Sequence, residues 1–343
     1  MEKQRWTCLD ILKCLAALAV VEIHKPLDVQ KGTEILILCR FAVPVFFMIT
    51  GFFYPEIRAR KREWRQLGKI FVIAICANLF YLLWDTFLAW EEGKKISEIL
   101  LNRLEDKTPE DYILWNFSPL VPHLWYLQAL LYVLVLAALV EYLGLRKLAY
   151  LAIPVLLVGN LIRGNYSLLF WKKDYCHIYY ARNFLYCGLP FFWLGCWFGE
   201  RKEKLAAYLN KKRMALLLIG VPVFWKMSLM ERKWLEKRNV LGSEEEYAGT
   251  ILMAICIFLF FIGWQKVYVE NDFTRALAKI GKEYSMYIYI FHYAVLQALS
   301  QCLNDKKSPV AKGYQQYGMI FIFVVTVILV AFFVRTKRAK RIK

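Results

Sequence analysis

Residues 9–54 read LDILKCLAALAVVEIHKPLDVQKGTEILILCRFAVPVFFMITGFFY. Two apolar runs flank a polar turn, and four ionisable residues stand inside those runs: Asp10, Lys13, His24 and Arg40. A charged side chain in hydrocarbon is costly, so each of the four is a candidate functional group. Lys13 and His24 are eleven residues apart, close to three helical turns. They therefore share one face, about 16 Å apart along the axis. Asp10 falls on that face one turn before Lys13. Glu22 falls on the opposite face and reads as a hydrogen-bond partner for another helix. A single helix thus carries a polar stripe from near one membrane surface to near the other.

The rest of the chain has the same character. Of 343 residues, 59% are hydrophobic and 22% charged, and the mean hydropathy is +0.37. That excludes an ordinary soluble domain with a polar surface. The apolar residues come in long blocks, which favours transmembrane helices over a barrel of alternating strands. The net charge of +18 does not indicate nucleic-acid binding, because the basic excess lies between apolar blocks and at the C-terminus. Nine cysteines are present, mostly within apolar blocks and with no CxxC spacing. Neither a metal site nor a redox pair is indicated, although Cys176 and Cys302 fall near one surface and could pair. The charged start followed by an apolar run resembles a secretion signal, but Asp10, Lys13, Glu22 and His24 interrupt it, and it reads as a retained first span.

The expected fold is all-α: a polytopic membrane protein of about ten transmembrane helices in one bundle. The spans are placed near 9–27, 35–54, 67–90, 122–140, 148–162, 183–199, 214–230, 247–265, 284–302 and 314–334. With both termini cytoplasmic, the inner segments hold 25 basic residues and the outer ones 17. This is the asymmetry expected of a multi-pass protein of the cell membrane. The basic tail 335–343 reads as a cytoplasmic, lipid-facing stop. The outer-surface loop 91–121 contains ISEILLNRLED, whose apolar residues recur at helical spacing. No segment outside the spans is long enough for a soluble domain, so 1–343 reads as a single membrane domain.

Depth sorts the polar residues into two layers. His24, Arg40, Asp85, His123, Trp125 and Arg182 all fall near the outer face, on five helices, as a site within a bundle would require. Asp85 serves either chemistry or charge pairing with Arg40 or Arg182. His123 and Trp125 open an aromatic stretch that suits either a site or an interfacial belt. His292, mid-span in YSMYIYIFHYAVL, reads as a hydrogen-bonded packing residue. At the inner face, RARKREWRQLGK carries Arg62, Arg65 and Lys69. Arg62 and Arg65 share a helical face, and arginine forks bind phosphate well, while plain positive-inside charge would also put them there. Gly195 and Gly199 form one GxxxG pattern. The motifs G-x-S-x-G, H-E-x-x-H and a Walker loop are absent, and HxxxxD fails because residue 29 is Val.

Several of these stretches resemble the integral-membrane acyltransferase-3 family. Lys13-x10-His24 is similar to the basic-x10-His pattern of that family's first helix. PVFFMITGFFY (44–54) resembles its second helix and Arg62-Glu-Trp-Arg65 its RxxR element. HLWYL (123–127) and GKEYSMYIYIFHYAVL (281–296) resemble its later marks. The resemblance covers most of the chain and is weakest between 200 and 280. Arg40 before VPVFFMITG, with RNFLYCGLPFF at 182–192, is also similar to the membrane half of the serine racemases of glycopeptide-resistance clusters, regarded as an amino-acid carrier.

Membership of the acyltransferase family implies a ten-helix bundle that moves an acyl group, usually acetyl, from coenzyme A to a hydroxyl of a sugar or other envelope molecule. It implies His24 as catalytic base and Arg62 and Arg65 as binders of the acyl donor. Lys13 stands where that pattern usually has Arg, which keeps the charge and loses the planar fork. Acyl-CoA is then the co-substrate, with Arg62, Arg65, Lys69 and Lys13 on the donor side. His24, Lys13, Arg40 and Asp85 are the candidates for chemistry, and His123, Trp125 and Arg182 for the acceptor. The pantetheine arm is expected to run along the Lys13 face toward His24. Arg40 or the Trp125 N–H is expected to meet the oxyanion, and Asp85 to orient the imidazole. Direct transfer and an acyl-histidine intermediate both remain open. No metal or nucleic acid is expected, and the oligomeric state is not legible. The other function class is a membrane carrier or exporter of a small molecule such as an amino acid, using the same stripe as its path. Topology reporters are expected to read cytoplasmic after residue 343 and within 200–213, and external within 91–121. A cytoplasmic signal from 91–121 would reverse the orientation.

Overall fold

The computed structural model of the chain describes residues 5–91, 108–118, 120–171, 181–303 and 308–342, with Gly93, Lys95, Ser97, Glu98 and Leu101 as isolated positions. It is all-helical among the described residues. Each of the ten apolar stretches is mostly helical. Five helical segments are long and apolar enough to cross a membrane: Gly32–Ala59, Glu63–Glu91, Pro122–Tyr142, Lys211–Lys237 and Pro309–Thr336. A shorter apolar helix covers Ala248–Trp264. The expected surface helix at 96–106 lies largely outside the described residues, as does Cys176. The eight described cysteines are all free thiols.

The chain divides into two compact units, each built from separate segments. The first comprises 1–46, 202–230 and 249–343. Its central element is α1 (Thr7–His24), which buries thirteen of its eighteen residues. Packed on α1 are α13 (Asp272–Lys279), the wide turn Ile280–Tyr284, α14 (Ser285–Leu303) and α15 (Pro309–Ile342). The approach is close because residue 281 is Gly: a Cβ there would collide with the Asp10 carbonyl oxygen. Ala17 and Val21 of α1 join Tyr284, Ile288, Val295, Tyr314, Ile322 and Val330 in one apolar cluster. An Asn271–Thr274 capping box starts α13, satisfying donors that the first turn leaves open.

The stretch 35–54 is two helices rather than the one expected: α2 (Gly32–Cys39) and α3 (Ala42–Ala59), with Arg40 and Phe41 between them. The reason lies in Pro44. It has no N–H to donate to the Arg40 carbonyl, and its ring crowds that carbonyl in a continuous helix. The backbone turns instead through an Arg40 N–H to Ile37 O bond of 3.2 Å.

The second unit comprises 47–201 and 231–248. It holds most of α3, then α4 (Glu63–Glu91), α5 (Pro109–Ile113), α6 (Trp125–Tyr142), α7 (Arg146–Arg163), α8 (Ser167–Trp171) and α9 (Leu189–Glu200). The remaining helices, α10 (Lys202–Tyr208), α11 (Lys211–Lys237) and α12 (Ala248–Trp264), follow in the chain. Helix α4 buries only a narrow line of residues, Ile70, Ala74, Ala77, Tyr81, Asp85 and Ala89, at helical spacing. Its remaining apolar side chains, including Phe71, Leu83 and Trp90, are exposed, as lipid-facing residues should be.

Helices α3 and α9 meet backbone to backbone. A Cβ on Gly195 would collide with Met48 O, one on Gly199 with Phe52 O, and one on Gly51 with Phe192 O. The Gly195-x-x-x-Gly199 pattern is therefore a packing surface, and Gly51 reciprocates it from the facing helix. At one end of this unit Glu141 accepts from Arg146 in a two-bond fork, both at 2.6 Å, and from Arg58 at 3.2 Å. Arg146 also reaches Glu200 at 2.7 Å. Hydrogen bonding to Glu141 pushes the Arg146 guanidinium above its already high value. Placing Val at Gly195 is expected to force the two helices apart and lower stability by about 1–3 kcal/mol, read as a fall in the thermal midpoint of detergent-solubilised protein. An unchanged midpoint would show that the pair tolerates a wider gap.

Candidate functional site

In the first unit the polar stripe forms as the spacing of α1 requires. Lys13 Nζ donates to Asp10 Oδ1 at 3.1 Å, and Arg5 Nε donates to Asp10 Oδ2 at 3.3 Å. Asp10 is buried and its two cations are more open, so the carboxylate anchors a small charge cluster at the start of the helix. Three turns later His24 closes α1 and is half-buried. Its ring lies 5.0 Å from that of His292 and 6.0 Å, edge to face, from that of Tyr293. His292 is fully buried, with Nδ1 at 2.8 Å from Tyr289 O and 3.0 Å from Ile288 O. A packing residue with local hydrogen bonds was the sequence expectation for His292. Its place against His24 is new, and a separation of 268 positions hides it from any local pattern.

Arg40 is also in this unit, buried at the α2–α3 break. The break puts a guanidinium on a stretch of backbone that is not locked into a helix. Glu22 is buried, and one of its oxygens accepts the Leu27 N–H at 3.0 Å. It thereby holds the turn that follows its own helix, a local partner in place of the interhelical one expected.

In the second unit Asp85 is buried on the narrow inward line of α4. One turn before it, Tyr81 presents its ring edge to His123 at 4.9 Å. His123 is itself buried, on the short turn Pro122–Leu124 that leads into α6, and Trp125, the first residue of α6, is buried too. These three expected site residues are interior residues rather than members of an exposed belt.

Arg182 has a different setting. Its guanidinium forms a two-bond fork with Glu245, Nε to Oε2 at 2.6 Å and Nη2 to Oε1 at 2.7 Å. Asn165 reinforces the same junction, donating to Glu246 O at 2.8 Å and accepting the Glu245 N–H at 3.1 Å. Asn183 caps the following turn through the N–H groups of Leu185 and Tyr186, at 2.9 and 2.8 Å. Sequence reading singled out Arg182 and passed over Glu245, which lies 63 positions away.

Arg62, Arg65 and Lys69 are exposed and sit at the start of α4. None of the three has an acidic partner among the described residues. Arg62 is the residue before the helix, and its carbonyl accepts the Gln66 N–H at 3.0 Å. The first-turn N–H groups and the helix dipole add to the same positive potential. No group of three or more His, Cys, Asp or Glu placed to hold a metal ion occurs among the described residues.

An all-helical chain with several helices able to cross a bilayer and ionisable residues inside them is an integral membrane protein. A family model described as an acyltransferase domain matches residues 6–335. The chain belongs to the integral-membrane acyltransferase-3 family, and it is a membrane acyltransferase. Neither a curated protein nor a solved structure matches it.

The fork geometry makes Arg182 a structural clamp as well as a candidate substrate contact. Changing Arg182 to Ala strands a buried carboxylate and is expected to cost about 3 kcal/mol of stability. The Arg182→Ala/Glu245→Ala double variant should lose less than the two single variants together. Additive losses in a thermal-midpoint cycle would deny the coupling.

Proposed function

We propose that the protein transfers an acyl group, acetyl being the expected one, from acyl-CoA to a hydroxyl of a cell-envelope carbohydrate or similar acceptor. The observation that carries this reading is the His24 imidazole: half-buried, at the end of a helix that begins with an anchored ion cluster, in a chain of the acyltransferase-3 family. An imidazole titrates near neutral pH and can take and return a proton in one catalytic cycle.

In the proposed step His24 accepts the proton of the acceptor hydroxyl as its oxygen attacks the thioester carbonyl. The new C–O bond forms, the C–S bond breaks, and the departing thiolate takes the proton back from the imidazolium. The products are the acyl ester and free CoA thiol. Arg40 faces the negative charge that grows on the carbonyl oxygen, a task for a buried cation. Arg62, Arg65 and Lys69 take the phosphates of the donor. Their exposure and lack of acidic partners support that role, since a cation already paired would have to exchange one anion for another. Lys13, held by Asp10, supplies a second positive element toward the donor. Asp85, His123 and Trp125 are assigned to the acceptor, because a carboxylate, an imidazole and an indole N–H can all hydrogen-bond hydroxyl groups.

The test uses inverted membrane vesicles and acetyl-CoA labelled in the acetyl group, with transfer to envelope material as the readout. Changing His24 to Ala should cut transfer by roughly 100- to 10,000-fold, the range removed with a general base. An Arg62→Ala/Arg65→Ala variant should raise KM for acetyl-CoA by about tenfold or more while leaving kcat comparatively unaffected. Full transfer by the His24 variant would remove His24 from the chemistry. Substrate flux through proteoliposomes without any acyl-CoA would replace the enzyme by a carrier.

A further inference from the structure

Lys25 follows His24 directly, and its side chain has a seat of its own. Pro26 comes next, and the residue before a proline is disfavoured in helical geometry. Lys25 accordingly leaves α1 at φ −139° and ψ 79°. Its stem lies on α15 at Gly318, where a Cβ would stand 2.9 Å from Lys25 Cγ and 2.8 Å from Lys25 Cε. Its ammonium stands 5.1 Å from the centre of the Tyr314 ring. Tyr314 is fully buried, and its hydroxyl donates to Leu296 O at 3.4 Å and hydrogen-bonds with Ser300 Oγ at 2.8 Å. The chain beyond Lys25 is pinned as well. Glu22 accepts the Leu27 N–H at 3.0 Å, and the Asp28 N–H donates to Gln316 O at 3.2 Å. Lys25 itself is half-buried, and among the described residues no carboxylate lies within ion-pair distance of its ammonium.

A cation over an aromatic face is attracted to the ring but keeps N–H donors to give. Helix α14 sets where that cation stands. The His24 ring rests at His292, while the ring under the Lys25 ammonium is anchored at Leu296 and Ser300. These three positions of α14 share one face, with about 6 Å and 12 Å from the first to the others. All belong to the same compact unit. The imidazole and the ammonium thus address neighbouring turns of one helix, a displacement on the scale of one or two sugar units. From this arrangement we propose that Lys25 recognises the acceptor: its ammonium binds an anionic group, a carboxylate or phosphate, that an acidic carbohydrate carries beside the hydroxyl to be acylated. The inference rests on the acyl-transfer reading above and narrows its acceptor to a charged one. The seat at Gly318 and Tyr314 holds the lysine before any ligand arrives, so little rotamer freedom is left to lose on binding. An anion fixed there brings the neighbouring hydroxyl to the imidazole in a repeatable pose.

The test uses detergent-solubilised full-length protein, labelled acetyl-CoA and envelope material as the acceptor. Two disaccharides compete: maltose, and maltose oxidised to a carboxylate at one C6. The acidic sugar should inhibit wild-type transfer at a concentration about tenfold lower than maltose, the worth of one charge-assisted hydrogen bond. Lys25→Met keeps an unbranched stem on Gly318 and removes the charge. It should erase the difference between the two sugars and raise KM for envelope material about tenfold, with KM for acetyl-CoA within about twofold of wild type. Lys25→Arg should retain the preference. Equal inhibition by the two sugars, none by either included, beside an inert His24→Ala overturns this inference alone. So does a preference that survives in Lys25→Met. A fall in kcat with acceptor KM unchanged would put the ammonium at the reacting carbonyl, and a parallel loss of activity and thermal midpoint in both Lys25 variants would make it merely structural; either overturns the proposal. Equal transfer by wild type and His24→Ala overturns the acyl-transfer reading, and this inference with it.

Discussion

A carboxylate cannot be left alone in hydrocarbon, and the way Asp10 is satisfied governs the first unit. Lys13 one turn on and Arg5 just before the helix bind its two oxygens at 3.1 and 3.3 Å. With that charge settled locally, the main chain at Asp10 is free to lie against Gly281, where any side chain would collide. Close approach there seats α1 on the turn that begins α14, and α14 carries His292. The depth and rotation of α1 that satisfy the ion cluster are thus the same ones that bring its last residue, His24, to the second imidazole. Satisfying a buried charge and bringing two imidazole rings together are two outcomes of one helix position.

The second unit meets the same constraint with forks. Arginine and glutamate pair in two-bond geometry at one end through Arg146 and Glu141, and at the other through Arg182 and Glu245. The apolar middle has no such groups to spare, and it relies on glycine. Gly51, Gly195 and Gly199 let two backbones touch, so attraction comes from close packing of main chain rather than from side-chain burial. The buried line of α4 is an exception that stands out against this background, because Asp85 is the one acid on it.

Much of this was readable from residue order. A separation of eleven positions from Lys13 to His24 set their common face, and one of three from Asp10 to Lys13 put their side chains within reach. Both are properties of a single helix, where spacing is distance. The GxxxG pair marked a close helix contact for the same reason. What escaped was either long-range or backbone-driven. Nothing near His24 announces His292, and nothing near Arg182 announces Glu245. The α2–α3 break was encoded, since Pro44 removes the bond that Arg40 would accept, but hydropathy averages over such a residue and sees one span. His123 was placed by depth at an interface, yet the partner that buries it, Tyr81, comes from another helix. The roles assigned to Arg62, Arg65, Lys69, Arg40 and Trp125 rest on charge, exposure and family likeness, and functional assays carry them further.

Helix α15 has a consequence for where the whole apparatus rides. It kinks at Tyr317, and from Gly318 to Ile342 it runs 25 residues, about 38 Å of rod against an oily layer of about 30 Å. Its greasy portion ends before Arg335, and the helix simply continues into cationic sequence. Such a rod cannot bob. Sinking drags lysines and arginines into acyl chains, and rising lifts aliphatic turns into water. The departure from helical geometry at Tyr317 sets the angle between its two parts. Tilting is therefore the cheap response to a thicker or thinner bilayer, and α14, packed along this helix, must tilt with it.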